Sequence, residues 1–271
     1  MANTVYSNKV IEAKAKDILT TAINARSMMT VDDSLTQNAG MIKTINTYTY
    51  SGTAEEVAAG AGNTTRGSIS YVGKDYTVKM VQQPFDYLDE DFMKEPAIVD
   101  YGIKGATSVM SNKMTADFYA ALATKNSAGN AELVSGITFA KGSSLSYDVI
   151  VDAISELNIE DESKIFVVIP NKWKAALRKD ADYVSAHQGD VVYNGQIGVI
   201  CGIPVVATKA LTDKAYVMTK EAVTLFLKKD IEVEQDRDAD TRKNSIYLRD
   251  CYVCALTDAT KACKITEAAS A

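Results

Sequence analysis

Apolar residues return every three or four positions across residues 8–25, through Ile11, Ala15, Ile18, Leu19 and Ala22. Lys9, Glu12, Lys16 and Asp17 fall mostly on the other side, so the spacing predicts a short amphipathic helix. Asp32, Asp33, Ser34 and Asn38 then mark a loop. Residues 41–50, MIKTINTYTY, favour a strand through Ile, Thr and Tyr. A second strand is predicted over 69–82, where Tyr76, Val78 and Met80 alternate with Thr77 and Lys79. The stretch between them, Ser51 to Gly67, is rich in Gly, Ala and Thr and nearly free of large apolar groups. The two strands read as an extended hairpin with a long polar tip. Its flanks carry too few large apolar residues to close a core of their own. An isolated two-stranded ribbon is marginal in water, so the hairpin is expected to need another surface.

Pro84 is expected to end the second strand, and Pro96 precedes the longest helical pattern. Val99, Ile103, Ala106, Met110, Met114, Phe118 and Ala121 follow in steps of three and four. A continuous helix over 97–124 would be ~42 Å long. Gly102 and Gly105 each weaken it by roughly 1 kcal/mol relative to Ala, which predicts a kink or a late start. The second half reads as a compact α/β unit. Ser146 is placed to cap a helix with Ile150, Ala153, Ile154 and Leu157 on its inner face. Ile165 to Ile169 is a continuous apolar strand stopped by Pro170, and Asn171 is placed to cap a helix over 172–179. Short strands are predicted near 203–207 and 215–219, then at 223–228, 231–235 and 245–256. Asp236 to Lys243 is a charged connection between strands.

Composition narrows the function classes. With 46% hydrophobic and 24% charged residues in 271, the chain has the makings of an ordinary globular core. A net charge of −6 argues against a protein whose main task is gripping phosphates. No apolar run approaches the ~20 residues needed to cross a bilayer, and the first residues carry no apolar signal-peptide core. The chain is expected to be cytoplasmic when made, with its four cysteines reduced.

The candidate chemistry is thin. Cys251 and Cys254 match C-x-x-C, but strand-like flanks put positions i and i+3 on opposite faces. His187 is the single histidine, in a loop-like setting, so a nucleophile at Cys201, Ser185 or Cys254 would have to use it. Asp236, Asp238 and Asp240 imitate the start of a calcium loop, which then fails at Thr241 and Tyr247. The Gly-rich stretch 60–67 lacks the Gly-Lys-Ser/Thr ending of a phosphate loop. The sequence therefore assigns no catalytic residue, no metal ligand and no cofactor.

The stretch Asn194 to Leu211, NGQIGVICGIPVVATKAL, is Gly-punctuated around two short β-rich runs. Its order of parts resembles the late region of phage major capsid proteins with the HK97-type fold. The closing segment from Glu232 to Thr266 is similar to the end of such proteins: an acidic-basic turn, a long strand ending in Ala-Leu, then a short last strand. The resemblance implies an α+β, HK97-like fold over nearly the whole chain. It implies an N-terminal arm (1–44), an extended β-hairpin loop (45–83) and a peripheral domain (84–143 and 221–271) with a long spine helix. The axial domain would be 144–220. The implied function is a structural subunit of a phage or prophage icosahedral capsid, self-assembling into pentamers and hexamers around a DNA genome. The chain would be made in the host bacterial cytoplasm and end in the virion.

The implied partners are other copies of the chain, a portal, and double-stranded DNA packaged by non-specific proximity, with no membrane. Nothing before the arm resembles a scaffolding extension, so either a separate scaffolding protein exists, which is the expectation, or an extension has been removed. Arg66, Lys74, Tyr76, Arg237, Asp238 and Arg242 are the expected subunit contacts, with Arg237 and Arg242 reaching carboxylates of adjacent subunits. A Lys74–Asn244 cross-link has no local signature. Two other classes compete: an encapsulin-like compartment shell, and a small α/β enzyme using Cys201 or Cys254 with His187.

Overall fold

The computed structural model describes residues 8–21, 25–125, 133, 135–140, 142, 144–182 and 198–268. Helix α1 (Asn8–Thr21) leads to a 3-10 turn (Ala25–Met28) and strand β1 (Thr30–Asp32). The hairpin strands are β2 (Ile42–Ser51) and β3 (Ser68–Thr77), followed by β4 (Lys79–Leu88). Helices α2 (Asp89–Lys94) and α3 (Ile98–Leu122) come next, then β5 (Ser135–Phe139) and α4 (Tyr147–Leu157). They are followed by β6 (Ile165–Pro170), α5 (Lys174–Lys179), β7 (Val199–Ile200), β8 (Ile203–Thr208) and β9 (Lys214–Thr219). Two long strands, β10 (Val223–Asp238) and β11 (Lys243–Leu256), precede β12 (Ala262–Glu267).

Three sheets result. A four-stranded sheet has the order β1-β10-β11-β4, a six-stranded sheet the order β5-β12-β9-β6-β8-β7, and the hairpin β2-β3 stands apart. Strand β6 shows how the two larger sheets share one interior. Ile165, Val167 and Ile169 face a core with Ile150, Ala153 and Ile154 of α4, while Phe166 and Val168 face a second core with Met114, Phe118 and Leu122 of α3. Burial on both faces is why this strand reads as a continuous apolar run. Helix α3 lies along the four-stranded sheet. Its N-terminal half packs Val99, Ile103 and Ala106 on Ile231, Val233, Ile246 and Leu248, with Ile11 and Ala15 of α1 closing that core.

Several expectations are corrected. Pro84 does not end a strand: it sits inside β4 opposite Tyr247, tolerated because β4 is the sheet edge. The break falls at Val78, which is buried and whose N–H donates to Met41 O at 2.7 Å. The expected strands 223–228 and 231–235 are one strand, irregular between Leu227 and Glu232. Ser146 does cap α4, but Asn171 lies within a 3-10 turn whose cap position, Pro170, has no side-chain bond. Strands β5 and β12, which lie outside residues 144–220, both join the six-stranded sheet.

Helix α3 runs unbroken through both glycines. A Cβ at Gly102 would overlap the Phe85 ring, so this glycine lets β4 approach the helix. At Gly105 a Cβ would meet nothing within 4 Å among the described residues.

The segment before β1 is tied down by a partly buried charge cluster. Arg26 Nη1 lies 3.7 Å from Asp230 Oδ1, beside Asp250, which is only 1% exposed. Burial, reinforced by the Asp230 charge, pushes the Asp250 carboxyl up to about 7, against the pull of Arg26 and the Cys251 N–H.

Gly102→Ala is expected to lower subunit stability by about 1–3 kcal/mol through overpacking. Gly105→Ala should raise it by up to about 1 kcal/mol through helix propensity. Urea denaturation of the unassembled subunit measures both. For Asp250, the folded chain holds the proton up to about pH 7, against an ordinary 3.8. Its contribution to stability is therefore present at low pH and lost as pH rises through about 7. Asp250→Asn should flatten that slope, seen by comparing denaturation midpoints at about pH 5 and about pH 8.

Candidate assembly surface

Strands β2 and β3 form an uninterrupted antiparallel ladder from Ile42↔Thr77 to Ser51↔Ser68. At ~3.4 Å per residue the shaft is ~34 Å long. Side chains alternate between faces. One face carries Lys43, Ile45, Val72, Lys74 and Tyr76; the other carries Tyr48, Tyr50, Ile69 and Tyr71 toward its distal end. The second group is 66–71% exposed, and the Tyr48 and Tyr71 rings lie 6.2 Å apart across the strands. Single exposed apolar residues are ordinary, but a contiguous aromatic ridge marks an interaction surface. Pattern reading missed this ridge because tyrosines among threonines read as generic strand. The pairing register, not visible in the sequence, places them side by side.

The proximal end is fixed. Ile45 and Tyr76 pack against a small core of Leu35, Val78, Phe226, Val253 and Ala255. The Tyr76 hydroxyl donates to Leu256 O at 3.0 Å, and Lys74 Nζ lies 5.3 Å from the Tyr76 ring centre. Lys228 Nζ donates to the carbonyls of Leu35 and Asn38, strapping the loop that leads into the hairpin. Tyr76 and Lys74, expected as subunit contacts, thus lie at the hairpin's attachment to its own body.

The tip, which includes exposed Arg66, is ordered by one carboxylate. Glu55 accepts the backbone N–H groups of Thr64 and Thr65, each at 2.9 Å, and both threonine hydroxyls, at 2.6 and 2.9 Å. The Thr64 hydroxyl is the largest of the influences holding the Glu55 carboxyl down at about 2. Where the tip meets the shaft, a Cβ at Gly67 would collide with the Tyr50 ring.

The charged turn between β10 and β11 has partners within the chain. Arg237 reaches Asp89 Oδ2 at 2.6 Å, Arg242 reaches Glu90 at 2.8 Å, and Lys243 reaches Asp86 at 2.6 Å. Asn244 is buried and donates to Asp89 Oδ1 at 2.6 Å. Arg237 first, then Asn244, hold the Asp89 carboxyl below its usual range. Asp238 accepts the Thr241 hydroxyl and the Asp240 N–H, closing its own turn. These contacts pin the β10–β11 turn to the start of α2. The expected reach of Arg237 and Arg242 toward another subunit competes with carboxylates already beside them.

The remaining candidates are scattered. Cys251 and Cys254 lie on opposite faces of β11, packed against different cores, and burial pushes the Cys254 thiol up to about 12. Cys201 is exposed in the β7–β8 turn, 2.9 Å from the Tyr147 hydroxyl. His187 and Ser185 lie outside the described residues.

No protein-family model matches the chain. A major capsid protein of Staphylococcus phage phiMR11 is 27% identical over 252 residues, covering 89% of this chain and 86% of the relative. The capsid structure of cyanophage P-SCSP1u superposes with a TM-score of 0.67 at 14% identity, covering 90% of this chain and 87% of that one. A Mycobacterium phage Che8 chain gives 0.60 at 18% identity, with 87% and 88% covered. The chain has the HK97-like fold of tailed-phage capsid subunits, and its sequence resembles a phage major capsid protein.

Because Glu55 has a depressed carboxyl, its tip bonds should persist as pH falls below the ordinary carboxylate range and be lost only near about 2. Glu55→Ala should remove them at every pH. Amide exchange at Thr64 and Thr65, faster in the variant at neutral pH, is the measurement.

Proposed function

We propose that this chain is the structural subunit of a tailed-phage or prophage icosahedral capsid, self-assembling into pentamers and hexamers that enclose a DNA genome. The carrying observation is the ribbon of β2 and β3. It is fixed at one end and bares an aromatic ridge at the other, on a fold shared with phage capsids. A monomer gains nothing from such a ribbon, whereas a subunit buries it on a neighbour. Contacts of that heterologous kind close into rings. The sequence similarity to a phage major capsid protein, over most of both chains, favours a phage shell above an encapsulin-like compartment.

In this reading α3 and the four-stranded sheet form the peripheral part. The six-stranded sheet, with β5 and β12 included, forms the axial part around the capsomer centre. Residues 1–44 are the arm and 45–83 the extended loop. The role is structural and not enzymatic. The chain is made in the host bacterial cytoplasm and resides in the virion; no described helix is long and apolar enough to cross a membrane. A separate scaffolding protein and a portal complete its partners. The net charge of −6 suits containment of DNA better than attachment to it.

Electron microscopy of the purified protein should show closed particles. Cutting the ribbon back to the Asn46↔Gly73 pair, with a short turn replacing 47–72, should leave a folded, soluble subunit that forms none. Normal particles from that truncated chain would refute the role given to the ribbon.

A further inference from the structure

The six-stranded sheet has two apolar faces to cover. Helix α4 covers one, packing with Ile165, Val167, Ile203 and Val205. The other lies under α3, whose Met114, Phe118 and Leu122 pack with Phe166, Val168 and Met218. Strand β8 sits on the far side of β6 from β9, and there the cover ends: Pro204 is exposed and Val206 half-buried. A pocket of about 720 Å³ opens at this place. Met28 and Thr30 line it from the segment around β1, and Phe166, Pro204 and Val206 line it from β6 and β8. It therefore lies in a seam between the two larger sheets. Small-molecule sites of ~300–1,000 Å³ favour seams of this kind and are mostly apolar with a few polar groups.

Two polar groups give the pocket a direction. Thr219 lines it and is 4% exposed, and its hydroxyl has no hydrogen-bond partner among the described residues. A buried hydroxyl without a partner destabilises a fold, and an acceptor brought by a ligand removes that cost. The next residue, Lys220, is exposed at the rim and has no ion-pair partner among the described residues. The Thr30 hydroxyl donates to its carbonyl at 3.1 Å and fixes its backbone there. The other charges of the rim are engaged: Lys164 lies 3.3 Å from Asp161, and Glu221 is paired with Lys261. The uncommitted charge beside the orphaned hydroxyl is thus positive.

We propose that this pocket binds a free straight-chain carboxylate. The alkyl chain lies on Met28, Phe166, Pro204 and Val206, the Thr219 hydroxyl donates to a carboxylate oxygen, and the Lys220 ammonium balances its charge. Such a ligand bridges the segment around β1 to the six-stranded sheet and closes the seam where α3 leaves it open. The inference does not depend on the shell reading.

Calorimetric titration of the purified chain with octanoate, decanoate and dodecanoate should show one site per chain. Affinity should rise about fourfold per added methylene, the signature of alkyl burial. Dodecyltrimethylammonium, with the same chain and the opposite charge, should bind about tenfold more weakly or worse. Thr219→Val should weaken dodecanoate binding about tenfold or more and yet raise the melting temperature of the unliganded chain, because it removes an unpaired buried hydroxyl. Lys220→Glu, at an exposed position, should weaken dodecanoate and reverse the preference between the two probes. Absence of binding, equal binding of both probes, or unchanged dodecanoate affinity in both variants would overturn the site. So would a lower melting temperature for Thr219→Val, since the hydroxyl would then have a partner within the chain. Dodecanoate bound by isolated subunits but not by assembled particles would mean that another copy covers the pocket, which also overturns the ligand while leaving the shell reading intact.

Discussion

A ribbon of two strands has no interior, and this constraint organises the molecule. Each side chain on β2 and β3 points either to one face or to the other, and among the described residues neither face is covered by a second layer beyond the base. The body therefore grips the ribbon where it can, through Ile45, Tyr76 and the strapped loop from Leu35 to Asn38. Val78 is the corner at which this happens. Before it the chain pairs with β2; after it the chain pairs with β11 and becomes part of the four-stranded sheet. One buried valine thus separates a segment that belongs to the subunit's own core from one that does not.

The body in turn is organised by α3. Its N-terminal half closes the four-stranded sheet together with α1, and its C-terminal half fills the seam where that sheet meets the six-stranded one. The seam buries Met114, Phe118 and Leu122 almost completely, whereas Tyr101 and Val109 lie on the helix side that faces away from both sheets. The charged residues at the β10–β11 turn serve the same body, clamping the far end of the long hairpin to α2. Exposed ion pairs of this kind contribute little individually. Three of them with the buried Asn244 bond nevertheless define where the turn sits.

Much of this was legible in the sequence because periodicity reports burial directly. The helix face of α3, the cap and inner face of α4 and the continuous apolar β6 all follow from spacing. What could not be read depends on partners distant in sequence. Pro84 looks like a strand terminator until β4 is known to be an edge strand. Gly102 looks like a weakness until Phe85 is placed over it. The break at Lys228–Asp230 looks like a loop until β11 holds both sides of it in one ladder. At the hairpin, the sequence revealed a polar tip and drew attention to Arg66, while the aromatic ridge emerged only when register aligned Tyr48 with Tyr71 and Tyr50 with Ile69. The charged turn suggested contacts outward because its partners, Asp86, Asp89 and Glu90, lie about 150 residues away in sequence.

The position of β12 bears on timing. It is inserted between β5 and β9, parallel to the first and antiparallel to the second, so β5 has no place in the six-stranded sheet without it. Residues 135–139 must therefore wait until 262–267 have been synthesised before they can be paired. Long-range closures of this kind are slow to form and leave strand edges open meanwhile. A chain still on the ribosome lacks the late strands on which the ribbon's base, the buried face of α3 and β5 all pack or pair. Completing that sheet makes a finished body a product of the whole translated chain rather than of its first half, and ties readiness to join other copies to the end of synthesis.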